Sequence, residues 1–390
     1  MYIKSVSLRN FRNYENLELE FDPDTNILYG DNAQGKTNIL ESLYMSGTSR
    51  SLRGSRDREM IRFGEEEAHI RTEVMKRGSK YAVDIHLKKN RSKGIAVNRV
   101  PIRKASELFG ILYLVLFSPE DLNIIKSGPS ERRRFLDQEL CQIDKIYFYN
   151  LSCYQKTLMQ RNRLLKDMYF QPELERTLSA WDEQLVRYGT KVIERRRNFL
   201  EDLSGIVSET HKNISGGKEE LLTGYEPDTE EDSFAEDLQR ASEKDRRFCT
   251  TSVGPHRDDI RFSVNGIDIR KYGSQGQQRT AALSLKLSEI EIVKERIHDT
   301  PVLLLDDVLS ELDAGRQSDL LESIHGVQTI ITCTGLEEFV RNRFQADCIF
   351  RVKGGTAEKM GKEKKDESGN FEEMLNGAEE SGSVQDEIKR

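Results

Sequence analysis

The sequence has little of what would place it in a membrane, a secreted scaffold or a fibre. Hydrophobic residues are 36% of its 390 residues, and no stretch approaches the roughly 18 consecutive apolar residues a membrane-spanning helix needs. The five cysteines, Cys141, Cys153, Cys249, Cys333 and Cys348, are scattered and nowhere spaced like metal ligands. That excludes a disulfide framework and a cysteine-ligated zinc site, and they read as reduced thiols. No internal repeat occurs, and no sustained a/d heptads of the kind a long coiled coil requires. The opening Met1-Tyr2-Ile3-Lys4-Ser5-Val6 goes straight into a strand pattern with no signal peptide in front. A cytoplasmic protein without membrane contact is expected.

Charge is abundant instead. A third of the residues are charged, and the net charge of −7 taken alone argues against nucleic acid. The distribution is uneven, however. Residues 51–100 carry 13 Lys and Arg against 7 Asp and Glu, a basic patch compatible with binding a phosphate backbone independently of base sequence. From Gly354 onward large apolar residues are few and charges many, so residues 354–390 are expected to be a disordered tail.

The periodicities divide the rest. Leu17, Leu19 and Phe21 alternate with polar residues as in a half-buried strand, and the same alternation returns at Ile70/Thr72/Val74 and Tyr81/Val83/Ile85/Leu87. This predicts an antiparallel wing. Ile111 to Phe117 is a nearly unbroken apolar run, as in a strand buried on both faces. From Ser130 to about Arg240 the pattern is charged and helical, and strand signals resume as a hairpin at Ile260/Phe262/Val264, Asn265-Gly266 and Ile267/Ile269. The expected fold class is α/β, with the first part of one α/β lobe over 1–125, an inserted compact helical lobe over 126–248 and the α/β lobe's second part over 249–353.

The strongest motif is Gly30-Asp31-Asn32-Ala33-Gln34-Gly35-Lys36-Thr37, a full G-x-x-x-x-G-K-[ST] between a short strand and an amphipathic helix. Glycines let the backbone curl its N–H groups toward phosphate oxygens, and the helix N-terminus adds partial positive charge. Lys36 is placed to reach the β and γ phosphates of ATP, Thr37 to coordinate Mg²⁺, and Asn38 completes the nucleotide-binding segment. Val302-Leu303-Leu304-Leu305-Asp306-Asp307 is an apolar strand ending in two carboxylates. Asp306 is the expected Mg²⁺ ligand, and Asp307 sits where a general base or water-orienting acid belongs; Lys36, Asp306 and Asp307 are therefore the catalytic candidates. Ser274, Gln275 and Gly276 open a long helix ahead of these acids and resemble the Ser-Gly-Gly-Gln-like signature of ABC-type ATPases. In that class the serine addresses ATP held by a second subunit. Ser310-Glu311-Leu312-Asp313 resembles the D-loop through which such subunits touch. The order implies an ABC-type P-loop ATPase head that hydrolyses ATP as a homodimer.

Several stretches narrow the resemblance. Leu8-Arg9-Asn10-Phe11-Arg12-Asn13-Tyr14 followed by the P-loop is similar to the heads of SMC-type and RecF-type DNA-repair ATPases. Phe117-Ser118-Pro119-Glu120-Asp121-Leu122, Gly254-Pro255-His256-Arg257-Asp258-Asp259 and Ser274-Gln275-Gly276-Gln277-Gln278-Arg279-Thr280 resemble bacterial RecF over about residues 1–353. That family implies binding of duplex, gapped or single-stranded DNA and dimerisation on ATP. It also implies placing of RecA at gaps together with RecR and RecO, in recombinational repair and replication restart. With Asp307 in place of Glu and Thr332-Cys333-Thr334-Gly335 lacking a switch histidine, slow, DNA-stimulated hydrolysis is expected. Arg53, Arg56, Arg132 and Arg133 are candidate DNA contacts, each with a solvated-loop alternative. Phe11, Arg12 and Asn13 either meet the adenine side or form a charged strand edge. His256, Asp258 and Asp259 form either a hydrogen-bond network at a strand entry or part of a metal site. The competing classes are an ATP-dependent nuclease of the overcoming-lysogenization-defect type, an ABC transporter's ATPase subunit and a structural chromosome protein.

Overall fold

Strand β1 (Tyr2–Phe11) turns Ile3, Val6, Leu8 and Phe11 into the core, a set that strict two-residue alternation cannot supply. A register shift between Ile3 and Ser5 in its pairing with a neighbouring strand resets the parity for Val6 and Leu8, and Asn10, at φ +51°, breaks it again before Phe11. The computed structural model describes residues 1–309, 312, 314–334 and 348–360. After β1 come β2 (Tyr14–Glu20), β3 (Thr25–Tyr29), α1 (Lys36–Thr48), β4 (Glu67–Lys76), β5 (Ser79–Lys88), β6 (Arg91–Val97), β7 (Val100–Ile102) and β8 (Leu114–Phe117). The helical region holds α2 (Leu122–Lys126), α3 (Pro129–Ile143), α4 (Lys145–Asp167), α5 (Leu178–Ile214), β9 (Leu221–Glu226), α6 (Phe234–Arg240) and α7 (Ser242–Phe248). The chain then runs through β10 (Asp259–Val264), β11 (Ile267–Asp268), α8 (Ile269–Tyr272), α9 (Gln275–Ile297), β12 (Val302–Asp306), α10 (Ala314–Ser323), β13 (Thr329–Cys333), β14 (Cys348–Lys353) and β15 (Thr356–Lys359).

Three sheets result. The wing is antiparallel in the order β2-β1-β4-β5-β6-β7. The central sheet runs β15-β14-β3-β13-β12-β8, parallel except for the edge strand β15. One face of this sheet, with Leu28, Leu304 and Ile330, shares a core with Ile39, Leu40 and Leu43 of α1 and the inner residues of the wing. The other face, with Ile27, Leu303, Leu305 and Ile331, packs on Leu283, Leu287 and Ile290 of α9 and on Leu320 and Ile324. Burial on both faces explains why β8 and β12 read as continuous apolar runs. This is the α/β head with an antiparallel wing and a helical insertion that the motifs predict.

The helical lobe departs from expectation in one respect. Leu221–Glu226 is a strand, and it pairs with β10 from Asp259↔Glu226 to Val264↔Leu221 in a small sheet ordered β11-β10-β9. The hairpin assigned to the ATPase lobe from 249 onward therefore joins the insertion, where Ile260, Phe262 and Val264 share a core with Tyr147, Leu151, Val192 and one face of α9. At the C-terminus, Gly354 and Gly355 turn the chain into β15, so ordered structure passes the boundary at 354. Ser310, Glu311 and Asp313 of the D-loop motif, Gly335, and residues 361–390 of the tail lie outside the described residues.

Candidate nucleotide-binding site

The loop between β3 and α1 lies so close to β14 on one side and to Asn13 of the wing on the other that two positions accept only glycine. A Cβ on Gly30 would lie 2.2 Å from the Val352 carbonyl oxygen, and one on Gly35, whose φ is +114°, 2.5 Å from Asn13 Nδ2. Asp31, Asn32 and Ala33 form the exposed rim. Lys36 is 5% exposed; its Nζ folds back to donate to the carbonyls of Gly30 at 2.6 Å and Asp31 at 2.9 Å. An ammonium has three protons, so this cradle holds Lys36 over the loop with a donor left for an anion.

Asp306 ends β12 beside α1, and Thr37 Oγ1 donates to its Oδ1 at 2.9 Å. Thr332, its register partner on β13, donates to the same oxygen at 2.8 Å and accepts from the Asp307 N–H at 3.0 Å. Asp307 has φ +57°, a left-handed conformation that costs a non-glycine residue of order 1 kcal/mol or more and is common at functional sites. A threonine hydroxyl and a carboxylate oxygen in contact are hard oxygen donors of the type Mg²⁺ takes. The residues present thus fit an ATP phosphate chain and its magnesium.

The segment before the loop clamps it. Asn13 Nδ2 donates to the Gln34 carbonyl at 2.9 Å, Asn38 Nδ2 to Asn13 Oδ1 at 2.8 Å, and the Gly354 N–H to Gln34 Oε1 at 2.7 Å. Arg12 grips the fully buried Glu41 of α1 with two bonds, at 2.8 and 3.0 Å, and also bonds Ser55 and the Glu59 carbonyl. Phe11 is fully buried, which removes it from any adenine surface. Neither the Arg12–Glu41 pair nor the role of Thr332 is visible in a local motif, because the partners meet only through tertiary structure.

Ser274 caps α9 in a reciprocal box: its Oγ accepts from the Gln277 N–H at 3.1 Å and its own N–H donates to Gln277 Oε1 at 2.9 Å. Ser274, Gln275 and Arg279 are exposed, and no hydrogen bond or ion pair among the described residues joins them to the P-loop. From α10, Arg316 donates to Thr280 Oγ1 at 2.7 Å and the Gly276 carbonyl at 3.3 Å, bracing the first turn of α9.

Of the candidate DNA contacts, Arg53 and Arg56 are exposed, and Arg53 Nη1 lies 3.5 Å from Asn38 Oδ1. Arg132 is not available to DNA. It is 1% exposed, its guanidinium held by Asp259 at 2.5 and 3.1 Å and by the Ser127 carbonyl at 2.7 Å. A buried guanidinium needs such partners, and the Arg132-Arg133-Arg134 run gives no hint of this because Asp259 is remote in sequence. Arg133 is half-buried and donates to the Asp258 carbonyl at 2.7 Å. Asp258 is itself buried and takes Arg196 at 2.8 Å and the Tyr225 hydroxyl. His256 has both ring nitrogens engaged, with Tyr154 OH at 2.6 Å and the Thr251 carbonyl at 3.1 Å, and burial pushes its pKa below the usual histidine range. The Gly254–Asp259 stretch is a hydrogen-bonded knot that joins the insertion's helices to its small sheet, and offers a metal no free histidine nitrogen.

Against this geometry the comparisons are decisive. The family described as the RecF/RecN/SMC N-terminal domain matches residues 2–357. The chain is 63% identical over 358 residues to the DNA replication and repair protein RecF of Agathobacter rectalis, spanning 92% of this chain and 99% of that one. The chain belongs to the RecF family. The RecF protein of Lachnospira eligens is 59% identical, over 91% of this chain and 98% of its own. Among solved structures, the recombination mediator protein RecF with ATP in the RecFOR pathway superposes with a TM-score of 0.86 at 39% identity, covering 92% of this chain and 98% of that one. The Smc head domain from Pyrococcus furiosus, at 17% identity and a TM-score of 0.53 over 92% and 96%, shares the fold. Family and fold are thus those of ATP-binding heads, and among the described residues no helix is long and apolar enough to cross a membrane.

Proposed function

We propose that this protein is an ATP-gated DNA-binding clamp of recombinational gap repair and replication restart, helping to load RecA at single-strand gaps together with RecO and RecR. The partners rest on the names and contexts of its relatives: a DNA replication and repair protein, and a mediator in the RecFOR pathway. The observation that carries the ATP-gated part is an asymmetry within one chain. The P-loop and Asp306 are already in contact through Thr37, while the signature serine is capped, exposed and turned to solvent. Such a half-site is completed by a second copy, with Ser274, Gln275 and Gly276 of one protomer closing over ATP on its partner.

In this reading the backbone N–H groups of 30–37 and Lys36 bind the phosphates, Asn38 supports the loop, and Thr37 with Asp306 would hold Mg²⁺. When bound, the ion neutralises charge on the β and γ phosphates. Asp307, fixed by Thr332, would orient the attacking water and take its proton. Its short side chain, with threonine and not histidine at 332 and 334, supports slow turnover used as a switch. DNA should bind independently of sequence. The test is DNA affinity with and without ATP on duplex, single-stranded and gapped substrates across a salt series. ATP should raise affinity, and replacing Arg53 and Arg56 by Ala should lower it and flatten the plot of log affinity against log salt by about one to two units. Binding indifferent to ATP would sink the gating claim, and an unchanged slope would move the DNA surface elsewhere.

A further inference from the structure

The solvent face of the wing carries a group of side chains that nucleotide binding does not use. On β4, Glu67 and His69 are two residues apart and so share a face, with Ala68 and Ile70 turned into the core between and beyond them. On β5, His86 stands directly opposite His69 in the antiparallel register, flanked by buried Ile85 and Leu87. The two imidazoles stack with centroids 3.9 Å apart and planes 23° from parallel. Both turn Nε2 toward one carboxylate: His86 Nε2 lies 2.9 Å from Glu67 Oε2, and His69 Nε2 3.8 Å from Glu67 Oε1. One ligand atom from each of the three lies within 4.8 Å of the others.

We propose that Glu67, His69 and His86 form a binding site for a divalent transition metal of the zinc class. Two imidazole nitrogens and one carboxylate oxygen converging from one side are donors suited to Zn²⁺ and not to Mg²⁺, which prefers all-oxygen surroundings. Rigidity favours the site, because all three ligands sit on paired strands whose backbones are already fixed, and the solvent side leaves room for water as a further ligand. Lys88 is the competitor, its Nζ 3.8 Å from Glu67 Oε2. A bound ion would staple β4 to β5.

The test is equilibrium dialysis of the full-length, nucleotide-free protein against Zn²⁺, with thermal unfolding in the same buffer. The wild type should retain one more Zn²⁺ per chain than the His69→Ala/His86→Ala double variant and show a rise in Tm with Zn²⁺ that the variant lacks. Glu67→Gln should weaken retention, and Lys88→Ala, which removes the competing cation, should tighten it. All four positions lie at the wing surface, and a native circular dichroism spectrum shows that each variant folds. Equal Zn²⁺ retention by the wild type and the double variant, or no difference in their Tm response, overturns the proposal. In that case the pair is a stacked histidine contact bridged by Glu67.

Discussion

With one hydroxyl, Thr332 accepts from the Asp307 backbone and donates to Asp306, so the Asp306 carboxylate and the Asp307 backbone are both tied to the neighbouring strand. Thr332→Val keeps the shape and removes both bonds. It should cost about 1 kcal/mol of stability, because a part-buried N–H loses its acceptor, and it should slow ATP hydrolysis more than it weakens ATP binding. Denaturant titration and steady-state hydrolysis measure the two effects, and wild-type turnover in Thr332→Val would show that Asp307 needs no such support. Lys36 is the complementary case. Its ammonium is the only full positive charge within the loop 30–37, so Lys36→Ala should abolish nucleotide binding in a fluorescent-ATP titration, and near-normal hydrolysis by that variant would defeat the assignment of the site.

At the scale of elements, α9 joins the nucleotide end of the head to the insertion through charges it buries. Lys286 pairs with Glu289 at 2.5 Å inside the protein, and Asp121 and Glu139 act on the same ammonium. Burial pushes Glu139 up to about 7. A carboxyl raised in the folded state binds its proton more tightly there than in the unfolded chain, so the stability it lends is greatest at acid pH. That contribution is lost as pH rises from the ordinary carboxylate range, near 4.5, through about 7. Glu139→Gln should therefore flatten the fall in Tm between about pH 5 and 7, and an unaltered slope would place the titration elsewhere in this coupled group. The motif at 117–122 contains Asp121, but neither Lys286 nor Glu139 can be assigned to its surroundings from sequence, since three separate helical segments meet there. The P-loop was legible because its eight residues act through their own backbone. β9 was missed because it is a single short strand between helices whose pairing partner, β10, comes after α6 and α7. Arg132 was misread for the same reason: its partner, Asp259, is brought to it only by the fold.

For the molecule as a whole, the proposed function requires that a single chain hold ATP without closing over it. Ser274, Gln275 and Arg279 stand exposed at the start of a helix otherwise buried along most of its length, and Arg316 braces that helix from α10. Ser274→Arg places a bulky cation at the seam and leaves the P-loop of the same chain untouched. Sedimentation of wild type and Ser274→Arg, with and without saturating ATP, tests the shared site most directly. The account predicts that wild type passes from monomer to dimer on ATP, while Ser274→Arg binds ATP with nearly normal affinity and stays monomeric. A Ser274→Arg chain that still dimerises on ATP, or a wild type that stays monomeric at saturating ATP, would contradict it and reduce Ser274 to a helix cap.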